Sequence, residues 1–449
     1  MAVLPISDTP ACVIEFAKRF SGVFKHSAQE QHFGEYISGL IASGNRTVAG
    51  IHQRLMSETD YDSLHHFMTD SNWSIEHFRA QRLKWILSKI PQVKESPTVI
   101  AIDSSFLHHT GKNIFGVYYY WDYAMRQFCR AQRIVISTLV TPSKLIPLGH
   151  QIYHRGFLKE QKLYLEATKP AAEAPSEEWE AFNDLTKTYE DNCSEHKTQL
   201  QIAADLVDEC EKLGFKKDAY VLDGAFLDKV LMTRIDEYKQ AWISRLAKSR
   251  LVQIATGGFV TVEEFAKSLG KESFTPTVVK TRHGEQRTYW CFGKNMMLYH
   301  WKKLRILISY DNEDLNGEPY FIISNKTNWI QAHKLLQNYM MRDPIEHLIR
   351  DQKQELGFED NQQRKEIAVL KHWELSFAAH AFLELEFNVN YPEEVPVPRL
   401  ETIGQKCRFF EIELLQSLIR HITELVLDHQ GTEEVLKFLT LKRLNGLAH

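Results

Sequence analysis

An α/β protein built on a mixed sheet, with helical regions before and after it, is the fold class that three observations predict. The first ninety residues carry apolar positions at helical spacing, in CVIEFAKRFSGVF, HFGEYISGLIA, TVAGIHQRLM and SIEHFRAQRLKWIL. From Thr98 the texture changes to β-branched and aromatic runs, first several in succession and then alternating with helix. After a second β-rich stretch the chain returns to long helical patterns.

In the N-terminal region Ser27 and Glu30 have the spacing of a capping box. Ser43-Gly44-Asn45 reads as a stop and turn before a helix starting near Arg46. Two short helices about such a turn suit a helix-turn-helix and equally any helical bundle. The strand-like segments after this region are TVIAID, FGVYYYWDY, FCRAQRIVISTLV and IPLGHQIY, expected as antiparallel neighbours. Residues 153–188 are polar, acidic and proline-containing, which predicts a surface excursion. Next come a helix, HKTQLQIAADLVDECEKLG, stopped by Gly214, a strand AYVLD and a strand AWISRL. Residues 248–325 break the alternation with VVKTR, TYWCFG, LRILISY and PYFIIS, with turns at His283-Gly284 and Asn316-Gly317, and read as a β-rich insertion. Beyond it lie helices in IQAHKLLQNYMM, IEHLIRDQKQELG and RKEIAVLKHWELSFAAHAFLELEF, then a stiff proline-rich linker at 391–398 and a final amphipathic helix.

The 449 residues suffice for a large core with accessory regions. No apolar run approaches the roughly 18 residues of a membrane span, and the N-terminus lacks a secretory signal, so a cytoplasmic protein without a membrane partner is expected. Cys12, Cys129, Cys193, Cys210, Cys291 and Cys407 include no C-x-x-C pair, which leaves them as reduced thiols. Net charge is −4, yet residues 247–310 hold eleven Lys and Arg against four Glu. Such a local excess can hold phosphates on an otherwise acidic chain.

Three acids stand out by position. Asp103 ends TVIAID, Asp223 ends AYVLD, and Glu346 comes after the insertion. Aspartates at the C-terminal ends of neighbouring strands converge at one sheet edge, where α/β proteins place their sites. With a helical carboxylate they make an all-oxygen cage suited to Mg²⁺ or Mn²⁺, the setting for in-line phosphoryl displacement. Each acid also has a plain structural reading: Asp103 and Asp223-Gly224 as turn residues, and Asp343-Pro344-Ile345-Glu346 as a helix start. On a continuous helix Tyr339, Arg342, Glu346 and Lys353 would fall within about 60° of arc, a metal-binding acid flanked by phosphate-binding cations. A solvated charged face gives the same pattern. Pro344 also threatens continuity between Arg342 and Glu346.

The spacing Tyr339-(2)-Arg342-(3)-Glu346-(6)-Lys353, with VIAIDSS and VLDGAF before it, resembles the signature of bacterial insertion-sequence DDE transposases of the "insertion sequence four" group and relatives. The resemblance covers roughly residues 95–390. It implies a ribonuclease H-like (retroviral-integrase-like) catalytic domain at 93–247 and 326–390, interrupted by the β-rich insertion at 248–325. A helical DNA-binding domain at 1–92 and a helical assembly region at 391–449 would flank it. It further implies that Asp103, Asp223 and Glu346 are catalytic and bind Mg²⁺ or Mn²⁺, and that Tyr339, Arg342 and Lys353 contact phosphates of the transposon end. The partners implied are double-stranded DNA, as terminal inverted repeats and target, and a second copy of the chain when DNA is bound. Relatives often pass through DNA hairpins and hold a flipped base with a tryptophan before the last insertion strand. Here Tyr320 stands at that point, with Trp290 and Trp301 as other candidates, while Arg282, Arg287, Lys302 and Lys303 of the insertion are expected on DNA. A nuclease or domesticated recombinase of the same fold, and a DNA-binding regulator with a vestigial triad, are the competing readings. A glycosidase would need paired carboxylates and not the flanking Arg and Lys.

Overall fold

The computed structural model describes residues 4–57, 59–90, 97–282, 284–327, 331–387, 400–427, 431–433 and 436. The expected linker at 391–398 and the His283 side of one turn lie outside the described residues. In chain order the elements begin with helices α1 (Ala11–Ala17), α2 (Ser27–Ala42), α3 (Val48–His52), α4 (Tyr61–Thr69) and α5 (Ile75–Lys89). Strands β1 (Val99–His108), β2 (Tyr118–Asp122), β3 (Gln127–Val140) and β4 (Leu145–Tyr153) come next, then helices α6 (Arg155–Thr168), α7 (Ser176–Glu195) and α8 (Gln199–Leu213). The alternating part is β5 (Ala219–Leu222), α9 (Lys229–Glu237) and β6 (Trp242–Arg245). After it stand β7 (Leu251–Gln253), β8 (Phe259–Thr261), α10 (Val262–Lys267), β9 (Thr275–Lys280), β10 (Gln286–Met297), β11 (Lys303–Tyr310) and β12 (Tyr320–Ser324). Helices α11 (Ala332–Met340), α12 (Pro344–Glu355), α13 (Glu366–Leu385) and α14 (Ile403–Leu427) complete the order.

The chain divides into two compact units: Met1–Pro91, Leu107–Val117 and His347–His449 form one, Gln92–Phe106 and Tyr118–Glu346 the other.

The first unit is helical. Its centre is α13, which packs against α2, α4, α5 and α14. That explains a helix apolar on nearly every side. Rings of Phe16, Phe20, Phe33, Phe78, Trp85 and Phe382 meet in its core, with Phe20 stacked on Phe78 at 4.5 Å. The polar residues of α13 are buried with partners. Glu374 takes Arg82 at 3.0 Å and Arg79 at 2.5 Å, and Lys371 donates to the Ser71 carbonyl at 2.6 Å. His372 bonds the Tyr36 hydroxyl at 2.8 Å and the Gly357 carbonyl at 2.7 Å, and burial pushes its pKa down to about 4. Two local expectations shift here. Ser27 is the first residue of α2 rather than its cap, and the backbone N–H of Lys25 is taken by Gln29 Oε1 instead. The helix expected near Arg46 starts at Val48, because Thr47 Oγ1 accepts the Gly50 N–H and so caps it; it is five residues long.

The second unit is a ten-stranded mixed sheet in the order β2-β3-β1-β5-β6-β12-β11-β10-β9, with β4 also on β3. Strand β3 is long enough to pair antiparallel with β2 through its first five residues and with β4 through the rest. Strands β1, β5 and β6 run parallel. They are short apolar runs because both faces are covered: VIAI of β1 and AYVL of β5 are wholly buried. Helix α8 covers β3 and β4. It opens on a Thr198–Gln201 capping box and closes at Gly214, whose φ of 74° is left-handed. The surface excursion expected at 153–188 is helical: α6 and α7 pack on each other as a pair, largely exposed. Proline sits at the start of α7, where its missing N–H costs nothing, with Glu177 and Glu178 in the first turn. The β-rich stretch joins the main sheet, because β12 pairs antiparallel with β6 (Ile322↔Arg245, Ser324↔Ile243) and carries β11, β10 and β9 with it. Among the described residues, β7 and β8 form a separate two-stranded ladder.

Candidate active site

Asp103 and Asp223 reach the same level of the sheet through strand register. Ile102 on β1 pairs with Leu222 on β5, so each aspartate is the next residue on one of two adjacent parallel strands. On β5 the strand ends there and turns at Gly224. A Cβ on Gly224 would stand 3.2 Å from the Arg245 carbonyl oxygen, so glycine lets the turn lie against β6. Ser244 Oγ secures the turn by donating to the Asp223 carbonyl at 3.2 Å.

Helix α11 lies against β5 and β6 and brings residues 341–343 to this edge. The guanidinium of Arg342 is the centre of the cluster. Its Nη2 is 2.7 Å from Asp103 Oδ2 and 3.9 Å from Asp223 Oδ1, and its Nη1 is 3.4 Å from Glu346 Oε1 and 3.9 Å from Asp343 Oδ1. The three acids singled out from the sequence, 103, 223 and 346, therefore gather about one cation. Their exposure differs: the Asp103 side chain is 14% accessible, that of Asp223 39% and that of Glu346 65%. Burial is the largest influence on Asp103 and raises its pKa, with Arg342 and the Ser104 N–H, at 2.8 Å from Oδ1, pulling the other way. Burial also opposes the charge on Arg342, but the carboxylates, Asp103 foremost, outweigh it and hold its pKa above the ordinary value. Tyr339 is buried and its pKa is pushed up to about 12, so its hydroxyl keeps its proton.

The single helical face expected for Tyr339, Arg342, Glu346 and Lys353 is interrupted. Tyr339 is in α11, Arg342 lies in the break at 341–343, and Pro344 opens α12, which carries Glu346 and Lys353. Proline has no N–H to continue α11 and suits the first position of a new helix. Arg342 reaches the acids from this break. Lys353, in the helical unit, pairs with Glu359 at 2.9 Å.

The residues expected in the insertion divide by environment. Tyr320 is 44% exposed at the start of β12 with the Arg245 guanidinium over its ring at 5.4 Å. Trp301 is stacked on the buried Trp242 at 5.9 Å, and Trp290 is half-buried on β10. Arg282 donates to the Thr141 carbonyl at 3.0 Å, Arg287 pairs with Glu285 at 3.2 Å, Lys302 pairs with Asp236, and Lys303 is exposed on β11. Sequence pattern does not single out Arg245. It ends β6, the third of the parallel strands, beside the strand that carries Asp223, and that position is the signal that could have found it.

Known families and proteins resemble this sequence. A family model described as "DDE superfamily endonuclease" matches residues 19–272, and one described as "Transposase DDE domain" matches residues 186–382. The first match includes Asp103 and Asp223, the second Asp223 and Glu346. The chain belongs to the DDE superfamily of endonucleases. Among individual proteins it is 22% identical over 372 residues to a probable transposase for insertion sequence element IS701 from Microchaete diplosiphon. That alignment covers 79% of this chain and 83% of the relative. A solved structure, the NurA nuclease from Sulfolobus solfataricus, aligns at 13% identity over 60% of this chain and 82% of that one with a TM-score of 0.22, too low to bear on the fold. The protein is thus a nuclease-type enzyme acting on DNA, and no helix among its described residues is long and apolar enough to cross a membrane.

Proposed function

We propose that the chain cuts and joins transposon ends at the Asp103–Asp223–Glu346 cluster with divalent metal ions, in a catalytic core of ribonuclease H-like fold. The strand path β4-β3-β1-β5-β6, antiparallel at β3–β4 and parallel at β1-β5-β6, supports that fold. The observation that carries the function is the convergence of three carboxylates on one guanidinium, a centre with more negative than positive charge. Three carboxylates offer only oxygen donors, which suits Mg²⁺ or Mn²⁺, and the buried Asp103 gains by having a cation beside it. Bound there, two such ions would supply an activated water or 3′-hydroxyl and neutralise the leaving oxygen.

The chain's own residues do the rest. Asp103 and Asp223, held by strand pairing, define the rigid side of the site, and the more exposed Glu346 closes it from α12. Arg342 balances the acids and presents donors with which to orient a scissile phosphate. Tyr339, protonated, is a hydrogen-bond donor to a phosphate oxygen. Lys353 and the exposed cations Arg287 and Lys303 would bind backbone phosphates further along the end. Arg282, Arg287, Lys302 and Lys353 are already engaged with protein partners and would have to exchange them for DNA. If the cut end closes as a hairpin, Tyr320 is the residue we assign to the displaced base, ahead of Trp290 and Trp301. Tyr320→Ala would then nick normally and lose hairpinned product.

Two ends handled together call for two copies of the chain. The apolar stripe of α14, Leu415, Ile419, Ile422 and Val426, would join them, which sedimentation on a terminal-repeat duplex reads directly. The helical N-terminal region would add contacts to the repeat.

Glu346→Gln tests the site. As a helix-start residue glutamine serves as well as glutamate, but it removes the charge that holds a hard cation. The expected outcome is an unchanged melting temperature with single-turnover cleavage of a cognate end reduced about a hundredfold or more. Near wild-type cleavage would remove Glu346 from the site.

A further inference from the structure

The second unit carries an aromatic surface that the cutting site does not use. Strands β2 and β3 form a two-stranded ribbon in which Tyr119 pairs with Arg130 and Trp121 with Phe128. These four side chains share one face. Trp121 and Phe128 meet edge to face at 5.1 Å, and the Arg130 guanidinium lies over Tyr119 at 5.1 Å. Tyr119 is 64% exposed, Phe128 68% and Trp121 41%, and the turn between the strands adds Tyr123 at 84%. The opposite face is anchored: Tyr120 packs on Phe106 at 5.4 Å and donates its hydroxyl to the Tyr153 carbonyl at 3.1 Å. The open face is therefore held in place, and apolar rings held bare in water mark a binding surface.

Charge identifies the occupant. Between residues 118 and 133 the basic side chains are Arg126, Arg130 and Arg133, of which Arg133 lies on the anchored face over Phe106 at 5.0 Å, and the one acid is Asp122. Asp122 is buried, and its carboxylate accepts the N–H groups of Ala124 and Met125 at 2.8 and 3.1 Å. The ribbon thus offers π faces and positive charge and no exposed carboxylate. Rings two residues apart on a strand stand about 6.6 Å from each other. That is twice the roughly 3.4 Å step of stacked bases, so a base fits between neighbours. Duplex DNA hides its base faces in the stack, whereas a separated strand presents them. The ribbon is anchored on Phe106, three residues beyond Asp103 on the same strand, which puts it alongside the strand that carries the cutting site.

We propose that Tyr119, Trp121 and Phe128, with Arg126 and Arg130, form a stacking platform for a short single-stranded segment of DNA next to the cut. This rests on the reading that the chain cleaves DNA.

The test uses the full chain and two probes, a fluorescently labelled dT15 and a fifteen-base-pair duplex, monitored by anisotropy. Trp121→Ala combined with Phe128→Ala is expected to weaken dT15 binding about tenfold or more, the loss of at least one stacked base, while duplex affinity stays within about twofold. The melting temperature should not change, and Trp121→Phe, which keeps a ring, should restore most of the dT15 affinity. Unaltered dT15 binding in the double variant overturns the platform. So does self-association of the wild type that the double variant abolishes with dT15 affinity unchanged, which would make the ribbon a protein interface. Failure of the cleavage reading would appear elsewhere, as cutting that survives Asp223→Ala.

Discussion

Two arginine–carboxylate clusters in this protein use the same chemistry to opposite ends. In the helical unit Arg82 and Arg79 share Glu374, with the side chains of Arg82 and Glu374 fully buried and the guanidinium of Arg82 bonded through Nε and Nη2. In the sheet unit one guanidinium, Arg342, serves Asp103, Asp223 and Glu346, two of which keep contact with water. In the first cluster the carboxylate of Glu374 is fully buried. The second has acids in excess of cations and opens toward solvent on the Glu346 side. The buried Arg82–Glu374 pair joins helices α5 and α13. On the function proposed above, an open cluster with surplus carboxylates gives up some stability for the ability to accept cations and a phosphate.

The contrast between the clusters can be tested at four points. The largest effect is expected at the open cluster: Asp223→Ala should lower end cleavage by about three orders of magnitude or more while changing fold stability by about 1 kcal/mol or less. Single-turnover cleavage beside a melting curve reads both, and a variant that still cuts would make the cluster structural like its counterpart. The cluster of the helical unit should respond in the reverse sense. Glu374→Ala leaves the buried Arg82 guanidinium without that carboxylate and should cost about 3–5 kcal/mol, measured by denaturant unfolding. A loss under about 1 kcal/mol would show that the pair is not needed to hold the helices.

A third effect concerns His372, which shares α13 with Glu374. An unfolded histidine takes up a proton near pH 6.5, while the buried one does so only near 4. The unfolded state therefore binds more protons throughout that window. Stability present above pH 6.5 should fall as pH drops toward 4, by up to about 3 kcal/mol. His372→Asn should flatten that acid limb, and an unchanged limb would locate the sensitivity in another group. The smallest effect belongs to the exposed cations of the sheet unit. Neutralising Arg287 or Lys303 should reduce the slope of log affinity for duplex DNA against log salt by about 0.9 for each phosphate that the side chain had neutralised. A constant slope would make them solvated charges.

Much of this architecture can be read from local pattern. VIAI and AYVL, continuous apolar runs ended by aspartate, announce buried strands with an acid at the end of each. TVIAID stands in a run of strand patterns that predicts antiparallel neighbours, and its parallel pairing with AYVL is set by the crossover through α8. The all-round apolar α13 announces a central helix, and Gly214 marks the stop of α8. Features that depend on competition between partners are less legible. Ser27 has no capping role because the helix begins one residue earlier, on the His26 carbonyl that accepts the Gln29 and Glu30 N–H groups, and the β-rich insertion continues the sheet because β12 takes the open edge of β6. The helical pair at 155–195 is masked by its acidic, proline-containing composition, although α6 and α7 pack on each other.

The sequence by itself determined which residue types could do chemistry here and roughly which elements would carry them, because strand and helix periods and turn residues act over a few positions. Only the tertiary structure decided the level at which Asp103 and Asp223 meet, since that is a matter of register between β1 and β5, strands far apart in the chain. It also decided that Arg342 reaches the acids from a break between two helices rather than from a shared face, that Arg245 lies over Tyr320, and that Tyr119, Trp121 and Phe128 stand together in the open. Each of these depends on distances between segments remote in the chain, which pairing and packing set and local sequence does not encode.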